Sequence, residues 1–421
     1  MKSIWKNSVV ILFTVFLFNA LFFGCSRPLR PHEFDLAKQY RVNGLVYDIN
    51  FSCNSINDSI SRANLQINPN DLLFSKTKSD SYIARYTIGY KIFKSYKDKE
   101  PIDTATIHYS MEQSKKSDQK IHNINFFAPV GKIYIVEFFL RDENRNHTTS
   151  KIKIHRKKTT NDRSYFRICS LKKGIINNTF YQKDSFSLIL PDNFKNALKV
   201  MTFQYKSTCA ARPYEVNYSY RLATVADSSW VVSNKKKYNF PPLKNGYYFF
   251  VTDTLSKEGF SVFSINQSFP KINSFQDANT ALGYLLSKSE YADLLRNNNQ
   301  RMSFENQWLK LAGNRYRARN LIKNYYSEVS NANKLFTNNQ PGWSTDQGMI
   351  YIIYGPPPIV YRNDNSEIWI YGEENNLFSE EFEFQKINSN VADNIYELKR
   401  NINFKISFNK MVNAWIDERG Y

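Results

Sequence analysis

Cysteine, glycine and proline are all scarce in this chain, with four, 14 and 14 among 421 residues. So few cysteines cannot build a disulfide scaffold, and so little glycine and proline excludes collagen-like repeats and linker-dominated chains. Histidine is missing from the last third: His32, His108, His122, His147 and His155 are the full set, and all precede residue 156. A His-dependent triad is therefore excluded from the C-terminal part. The chain has no G-x-G-x-x-G, P-loop, G-x-S-x-G or H-E-x-x-H string. It has no C-x-x-C spacing either, which leaves a zinc site or a thioredoxin-type centre without support. Asp364 with Glu367, and Glu373 with Glu374, lack the ligand spacing and glycine of an EF-hand. No catalytic residue, metal site or cofactor is expected.

What is present is apolar: 42% of residues are hydrophobic and 16% aromatic, enough for several packed cores. The formal charge is +19, unevenly spread. From Lys271 onward there are 17 basic and 17 acidic residues, so the excess lies wholly before that point. Lys151, Lys153, His155, Arg156, Lys157 and Lys158 form one basic cluster, and Lys235, Lys236 and Lys237 another. Beside a bilayer each basic residue gains about 1 kcal/mol. The expected contact is with anionic lipid or lipopolysaccharide and not with nucleic acid, because the N-terminus points to the cell envelope.

Residues 1–24 read as an export signal, with Lys2 and Lys6 ahead of an apolar run over 9–23. That run is shorter than the roughly 20 residues of a membrane span. It ends in Leu21-Phe22-Phe23-Gly24-Cys25, which resembles a bacterial lipobox, whose cysteine is acylated and becomes the mature N-terminus. Cys25 is thus the expected lipid-attachment residue, and residues 25–37 the anchor and a proline-stiffened tether. The tether lacks the acidic residues that often follow the cysteine in surface-exported lipoproteins, which favours a periplasm-facing position on the outer membrane.

Two strand-rich modules are expected at 38–160 and 161–268. Leu45, Tyr47, Ile49, Phe51 and Cys53 alternate with polar residues, and the same alternation returns in Tyr82, Ala84, Tyr86, Ile88, Tyr90 and Ile92. Period two marks a half-buried strand. Residues 132–140, 185–190, 216–221 and 247–251 read as further strands. Asn125-Phe126 followed by Tyr134 and Val136 recurs as Asn239-Phe240 followed by Tyr248 and Phe250, an offset of 114 residues. That spacing fits two successive immunoglobulin-like sandwiches. Cys169 and Cys209, in the same expected module, are the candidate disulfide, with Cys53 a buried thiol.

From residue 269 the apolar period becomes helical. Ser274 with Asp277 caps a run through Ala278, Ala281, Leu282 and Leu285. Leu294 and Leu295 continue the helical character, then Phe304, Trp308 and Leu311 mark another helix, and Leu321, Ile322, Tyr325, Val329, Ala332 and Phe336 a longer one. Residues 349–354 read as a continuous apolar strand stopped by Gly355-Pro356-Pro357-Pro358, with strands to follow at 359–362, 367–371 and 381–384.

Pro341-Gly342-Trp343-Ser344-Thr345-Asp346-Gln347-Gly348, followed by Tyr354-Gly355-Pro356-Pro357, resembles the signature of GWxTD-domain proteins, chiefly lipoproteins and secreted proteins of Bacteroidota and their relatives. The resemblance covers roughly the last third. It implies an α+β module over 269–421 and no transferable activity. Gly342, Trp343, Thr345, Asp346, Gly355, Pro356 and Pro357 are its motif residues, read as a structural corner in which Asp346 closes an Asx-turn and, alternatively, as a partner surface. The whole is expected to be a non-catalytic outer-membrane lipoprotein, a scaffold subunit of an envelope assembly. Its two sandwiches would rise from the anchor and present the last module; the alternative is a surface glycan-binding or adhesin lipoprotein.

Overall fold

The computed structural model describes residues 34–42, 49–113, 120–159, 162–170, 179–181, 184–191, 194, 197–205, 208–218, 225–232, 237–253, 258–387, 389, 391–392 and 394–417. The leader, Cys25, the tether to residue 33 and the residues Leu45 and Tyr47 lie outside them. Among the described residues no helix is long and apolar enough to cross a membrane.

The chain enters through a two-residue strand, β1 (Phe34–Asp35), and a 3-10 turn, Ala37–Tyr40. Eight strands follow: β2 (Asn50–Ser55), β3 (Ile60–Ile67), β4 (Ser75–Lys76), β5 (Tyr82–Phe93), β6 (Asp103–Glu112), β7 (Lys120–Phe127), β8 (Lys132–Asp142) and β9 (His147–Lys157). One antiparallel sheet has the order β2-β3-β7; the other runs β4-β5-β8-β9, with β6 also paired to β5. The alternation expected in β5 holds from Ala84 onward: Ala84, Tyr86, Ile88, Tyr90 and Ile92 are buried and meet Phe51, Leu65, Ile124 and Phe126 of the facing sheet in one core, whereas Tyr82 at the strand's start is exposed. Burial on one face fixes the register, because a one-residue slip would turn this whole set to solvent.

The basic cluster is split by the same pleat. Lys157 is fully buried, donating to the carbonyls of Asn57 (2.6 Å) and Ile60 (3.2 Å), and His155 is buried against the Ser61 hydroxyl (2.9 Å). Burial pushes the His155 ring down to about 3 and the His122 ring down to about 4. The cluster is thus not a continuous solvent-facing patch.

The next eight strands are β10 (Arg167–Ser170), β11 (Thr179–Tyr181), β12 (Phe186–Ile189), β13 (Leu198–Phe203), β14 (Ser228–Val232), β15 (Lys237–Phe240), β16 (Gly246–Asp253) and β17 (Glu258–Ile265). They form sheets ordered β10-β12-β15 and β11-β17-β16-β13-β14 around a second core that includes Phe186, Leu188, Val200, Phe250 and Val262. Strand for strand, β10-β12-β15 repeats β2-β3-β7, and β14-β13-β16-β17 repeats β6-β5-β8-β9. The 114-residue offset thus has a topological counterpart. The Tyr134 hydroxyl donates to the Pro129 carbonyl (2.6 Å) at the start of β8, and Tyr248 donates to Lys244 (3.0 Å) at the start of β16.

Two expectations fail in this module. Residues 216–218 are turn and irregular backbone rather than strand, and 219–224 lie outside the described residues. Cys53, Cys169 and Cys209 are free thiols, so the Cys169–Cys209 bridge is not formed. The reason is topological. Cys169 sits on β10 opposite Ser187, whereas Cys209 leaves the sandwich after β13 and packs on the C-terminal core, its Sγ donating to the Thr280 carbonyl (2.9 Å).

The last module has six helices among the described residues: α1 (Phe275–Ala281), α2 (Lys288–Arg296), α3 (Gln300–Ala312), α4 (Arg315–Phe336), α5 (Asp346–Tyr354) and α6 (Phe404–Asp417). Ser274 caps α1 as expected, accepting from the Asp277 amide (3.0 Å). Its sheet has the order β1-β18-β19-β20-β21, with β18 (Ile359–Arg362), β19 (Ser366–Tyr371), β20 (Glu380–Lys386) and β21 (Tyr396–Leu398). The run 349–354, expected as a strand, is instead the body of α5. Met349 to Ile353 are all buried, and an apolar run hidden on every side carries no period by which to tell helix from strand.

The domain boundaries shift accordingly. β1 pairs antiparallel with β18, Phe34 opposite Arg362, so residues 34–40 belong to the C-terminal module and not to a tether or the first sandwich. Val391, Ala392 and Ile395 also cover the outer face of β16 and β17, which explains why Gly246–Asp253 is buried on both faces.

Candidate functional site

The corner at 341–348 is built by close backbone approach. Gly342 to Ser344 form a 3-10 turn against α4, where a Cβ on Gly342 would lie 2.1 Å from the Ala332 carbonyl oxygen. A Cβ on Gly348 would lie 1.9 Å from the Gly342 carbonyl oxygen. Only glycine permits either contact. Thr345 is the N-cap of α5: its hydroxyl accepts from the Gly348 amide (2.9 Å) and donates to the Gly342 carbonyl (2.7 Å). Trp343 is 2% exposed, and its carbonyl accepts from the Tyr284 hydroxyl (2.9 Å).

Asp346 does not close an Asx-turn; the cap is Thr345, and Asp346 makes a buried ion pair. Its Oδ1 accepts from Arg400 Nη2 (2.6 Å), and its Oδ2 from Arg400 Nη1 (3.1 Å) and the Leu398 amide (2.8 Å). The side chains of Arg400 and Asp346 are 3% and 6% exposed. Burial pushes the Asp346 carboxyl up, against the pull of Arg400. Arg400 also donates to the Ala211 carbonyl (3.1 Å) and lies 4.4 Å over the Tyr218 ring. The pair therefore ties α5, the segment after β21 and the excursion of the second sandwich to one another.

A second buried cluster meets α5 at the next residue, Gln347. Glu367 is fully buried, and its Oε1 accepts from the Tyr40 hydroxyl (2.5 Å), Trp369 Nε1 (2.6 Å) and Gln347 Nε2 (3.0 Å). Its Oε2 accepts from Arg362 Nε (2.5 Å), and Arg362 Nη2 donates to the Tyr40 hydroxyl (2.6 Å). Burial pushes the Tyr40 phenol well above its ordinary range, which keeps it protonated as a donor to Glu367. Glu367 is thus turned inward rather than toward a cation with Asp364. Each of its oxygens is engaged, and the side chain is fully buried, so the carboxylate does not face solvent.

At the end of α5, Gly355 has φ +81°, its amide donates to the Tyr351 carbonyl (2.9 Å), and its own carbonyl accepts from the Tyr371 hydroxyl (2.7 Å). Pro356 is exposed and Pro357 buried. Of the seven motif residues only Pro356 faces solvent, so the motif does not form the partner surface weighed from the sequence. It is a brace.

Residues 246–417 match the family model of the GWxTD domain. This chain carries a GWxTD domain. The match begins at Gly246, the first residue of β16, which places β16 and β17 within the family's span as well as in the second sandwich. No curated protein matches the chain. Inside the GWxTD domain, Arg362 and Glu367 had a readable signal, since opposite charges flank the polar turn 363–366 and pair across the hairpin. Tyr40 had none: it lies 327 positions from the carboxylate it serves.

Proposed function

We propose that this protein is a non-catalytic outer-membrane lipoprotein, acylated at Cys25 and facing the periplasm, that acts as a scaffold subunit of an envelope assembly. Its two sandwiches are of immunoglobulin-like type. The three-plus-four strand order and the paired tyrosine corners at Tyr134 and Tyr248 support that assignment. The observation that carries the scaffold reading is the inward use of the motif. Asp346, Glu367 and Trp343 are committed to internal bonds and packing, while large apolar side chains elsewhere on the domain meet water. Leu377 and Phe378, in the β19–β20 turn, are 93% and 97% exposed. Ile402 and Ile406 at the start of α6 are 59% and 82% exposed. Clustered apolar exposure of this kind marks interaction surfaces.

The register orients that surface. Phe34 stands opposite Arg362, at the end of the sheet that carries the 363–366 turn, and the 372–379 turn is at the other end, six residues or about 20 Å along β19. Residues 26–33 reach about 30 Å when extended, so an acylated Cys25 would keep the GWxTD domain beside the bilayer, with its apolar turn at the far end from the tether.

The test is a photocrosslinking residue placed at position 378 in living cells, with labelled palmitate supplied in parallel. A discrete protein adduct at 378, together with label lost in Cys25→Ser, is the expected result. A wild-type chain that takes up no label and yields no adduct overturns the reading. Release by protease shaving of intact cells would favour the adhesin instead.

A further inference from the structure

β6 is the long, unguarded outer strand of the first sandwich. It pairs with β5 through ten residues without a slip, from Asp103 opposite Ile92 to Glu112 opposite Ile83, and among the described residues no strand pairs with its other side. An outer strand leaves a row of amides and carbonyls without ladder partners, and native proteins guard such rows with lysine, proline, a bulge or short length. The other outer strands of the sandwiches follow that rule. β9 carries Lys151, Lys153 and Lys157, Lys153 also guards β2 by donating to the Phe51 carbonyl, and β7 opens on the exposed Lys120. In the second sandwich β10, β11, β14 and β15 are three to five residues long.

β6 has no lysine, arginine or proline, in a chain with 57 basic residues. Thr104, Thr106, Ile107 and Tyr109 give it the β-branched and aromatic character of a strand with neighbours on both sides. Met111 is buried in the sandwich core, and Ala105 and Tyr109 pack against that core, so the odd positions face inward. Ile107 belongs to the same row, opposite the fully buried Ile88, yet it is 36% exposed. A further strand beside β6 would cover it.

We propose that β6 is a dimerisation edge, pairing antiparallel with the β6 of a second copy about a two-fold axis through Ile107, so that the two β6-β5-β8-β9 sheets become one. A two-fold interface must complement itself, and residues set opposite each other must face the same side of the sheet. The register centred on Ile107 meets both demands. Ile107 packs on its own copy, Ala105 stands opposite Tyr109, Thr106 opposite His108, Thr104 opposite Ser110, and Asp103 opposite Met111. Small side chains thus meet large ones, and no like charges stand opposite each other. The register centred on His108 would instead set two imidazoles against each other and Thr104 against Glu112. That the same ten residues supply both halves of a fitting ladder is what selects a second copy as the occupant. The pairing requires neither acylation nor the apolar turn at 377–378.

Two measurements test it. Light scattering of the full chain in dodecyl maltoside, from about 1 to 200 µM, should show a dimer that grows with concentration, since an edge pairing is a small interface. Two copies of a chain of charge +19 repel, so added salt should strengthen the dimer, the opposite of an ionic contact. Ile107→Lys places an inward charge on the edge and should weaken the dimer about tenfold or more, with circular dichroism reporting that the variant is folded. Disulfide crosslinking in intact cells reads the register, with the wild-type chain as the control for its own thiols. Ile107→Cys should form a crosslinked dimer, because opposite Cβ atoms lie about 4.5–5.5 Å apart. Thr104→Cys alone should not, whereas Thr104→Cys combined with Ser110→Cys should. A chain that stays monomeric, a dimer undiminished in folded Ile107→Lys, or equal crosslinking of Thr104→Cys and Ile107→Cys overturns the proposal. So does an Ile107→Cys crosslink to a different protein in place of the homodimer, which would assign the edge to a foreign strand.

Discussion

In the first sandwich the buried titratable side chains include two uncharged histidine rings, a lysine held by neutral oxygens, and Asp142, which accepts from backbone amides of Leu73, Asn144 and Arg145, whereas the GWxTD domain buries two carboxylate–guanidinium pairs. The sandwich groups find partners within their own module, His122 with Tyr86 (3.1 Å) and His155 with Ser61. The charged pairs reach across the molecule, to Tyr40 in one direction and to Ala211 in the other. A pleat with one buried face specifies itself by alternation, and buried polar groups bonded within the module, to backbone or to neighbouring side chains, finish it. A module assembled from a helix bundle, a small sheet and a strand from the far end of the chain has no such repeating rule. There, two buried ion pairs and their hydrogen bonds hold elements distant in sequence to one another.

The contrast can be broken most strongly at Glu367. Glu367→Ala leaves Arg362 buried without a counter-charge, and such a loss costs about 3–5 kcal/mol. Tryptophan emission reads the effect apart from the first sandwich, since Trp308, Trp343, Trp369 and Trp415 are in the GWxTD domain, Trp230 is on β14 of the second sandwich, and residues 38–160 contain no tryptophan. The emission transition is expected to move to lower urea, while proteolytic protection of the first sandwich stays put. Equal loss in both modules would show that they unfold as one body.

Acid is expected to act on the opposite side. His122 and His155 have folded values pushed below their ordinary 6.5, so as pH falls the unfolded chain takes up protons that the folded sandwich refuses. Stability is therefore present above pH 6.5 and is lost on the way down to about 4 and about 3. The loss is roughly 1.4 kcal/mol per histidine at pH 5.5. Proteolysis at pH 5.5 should open residues within 49–157 while tryptophan emission remains native. If emission changes first, the two modules do not differ in the way described.

The smallest effect compares the sandwiches with each other. Tyr134→Phe and Tyr248→Phe each remove one hydroxyl bond to an upstream carbonyl, and each is expected to cost about 1 kcal/mol in its own module alone. Site-resolved hydrogen exchange would show it. A silent Tyr248→Phe would mean that the repeated topology does not carry repeated energetics.

How legible each part was follows from the same contrast. The inward set Ala84 to Ile92 could be read directly, because alternation is a local property, and the Ser274 cap likewise needs only four residues. The repeat was visible through Tyr134 and Tyr248, whose positions at strand starts are set by the corner they make. α5 was misread because its residues are hidden on every side. Its cap residue Thr345 was in plain view, but the aspartate beside it looked like the turn-former. The partners of Asp346 and Glu367 could not be read: Arg400 lies 54 positions away from Asp346, and nothing around Tyr40 marks it as the donor to a distant carboxylate. Cys209 misled for a related reason, since sequence neighbourhood gave no hint that it leaves its sandwich for another core.

The pairing of β1 with β18 has a consequence for biosynthesis. A polypeptide leaves the ribosome from its first residue, so Tyr40 emerges 327 positions before the carboxylate it will bond, and both sandwiches can form in the interval. During that time a short extended stretch with an open edge waits beside newly made strands that could capture it. Only a chain translated past Glu367 can dock Tyr40, which makes closure of this sheet a physical signal that synthesis has passed the β18–β19 hairpin.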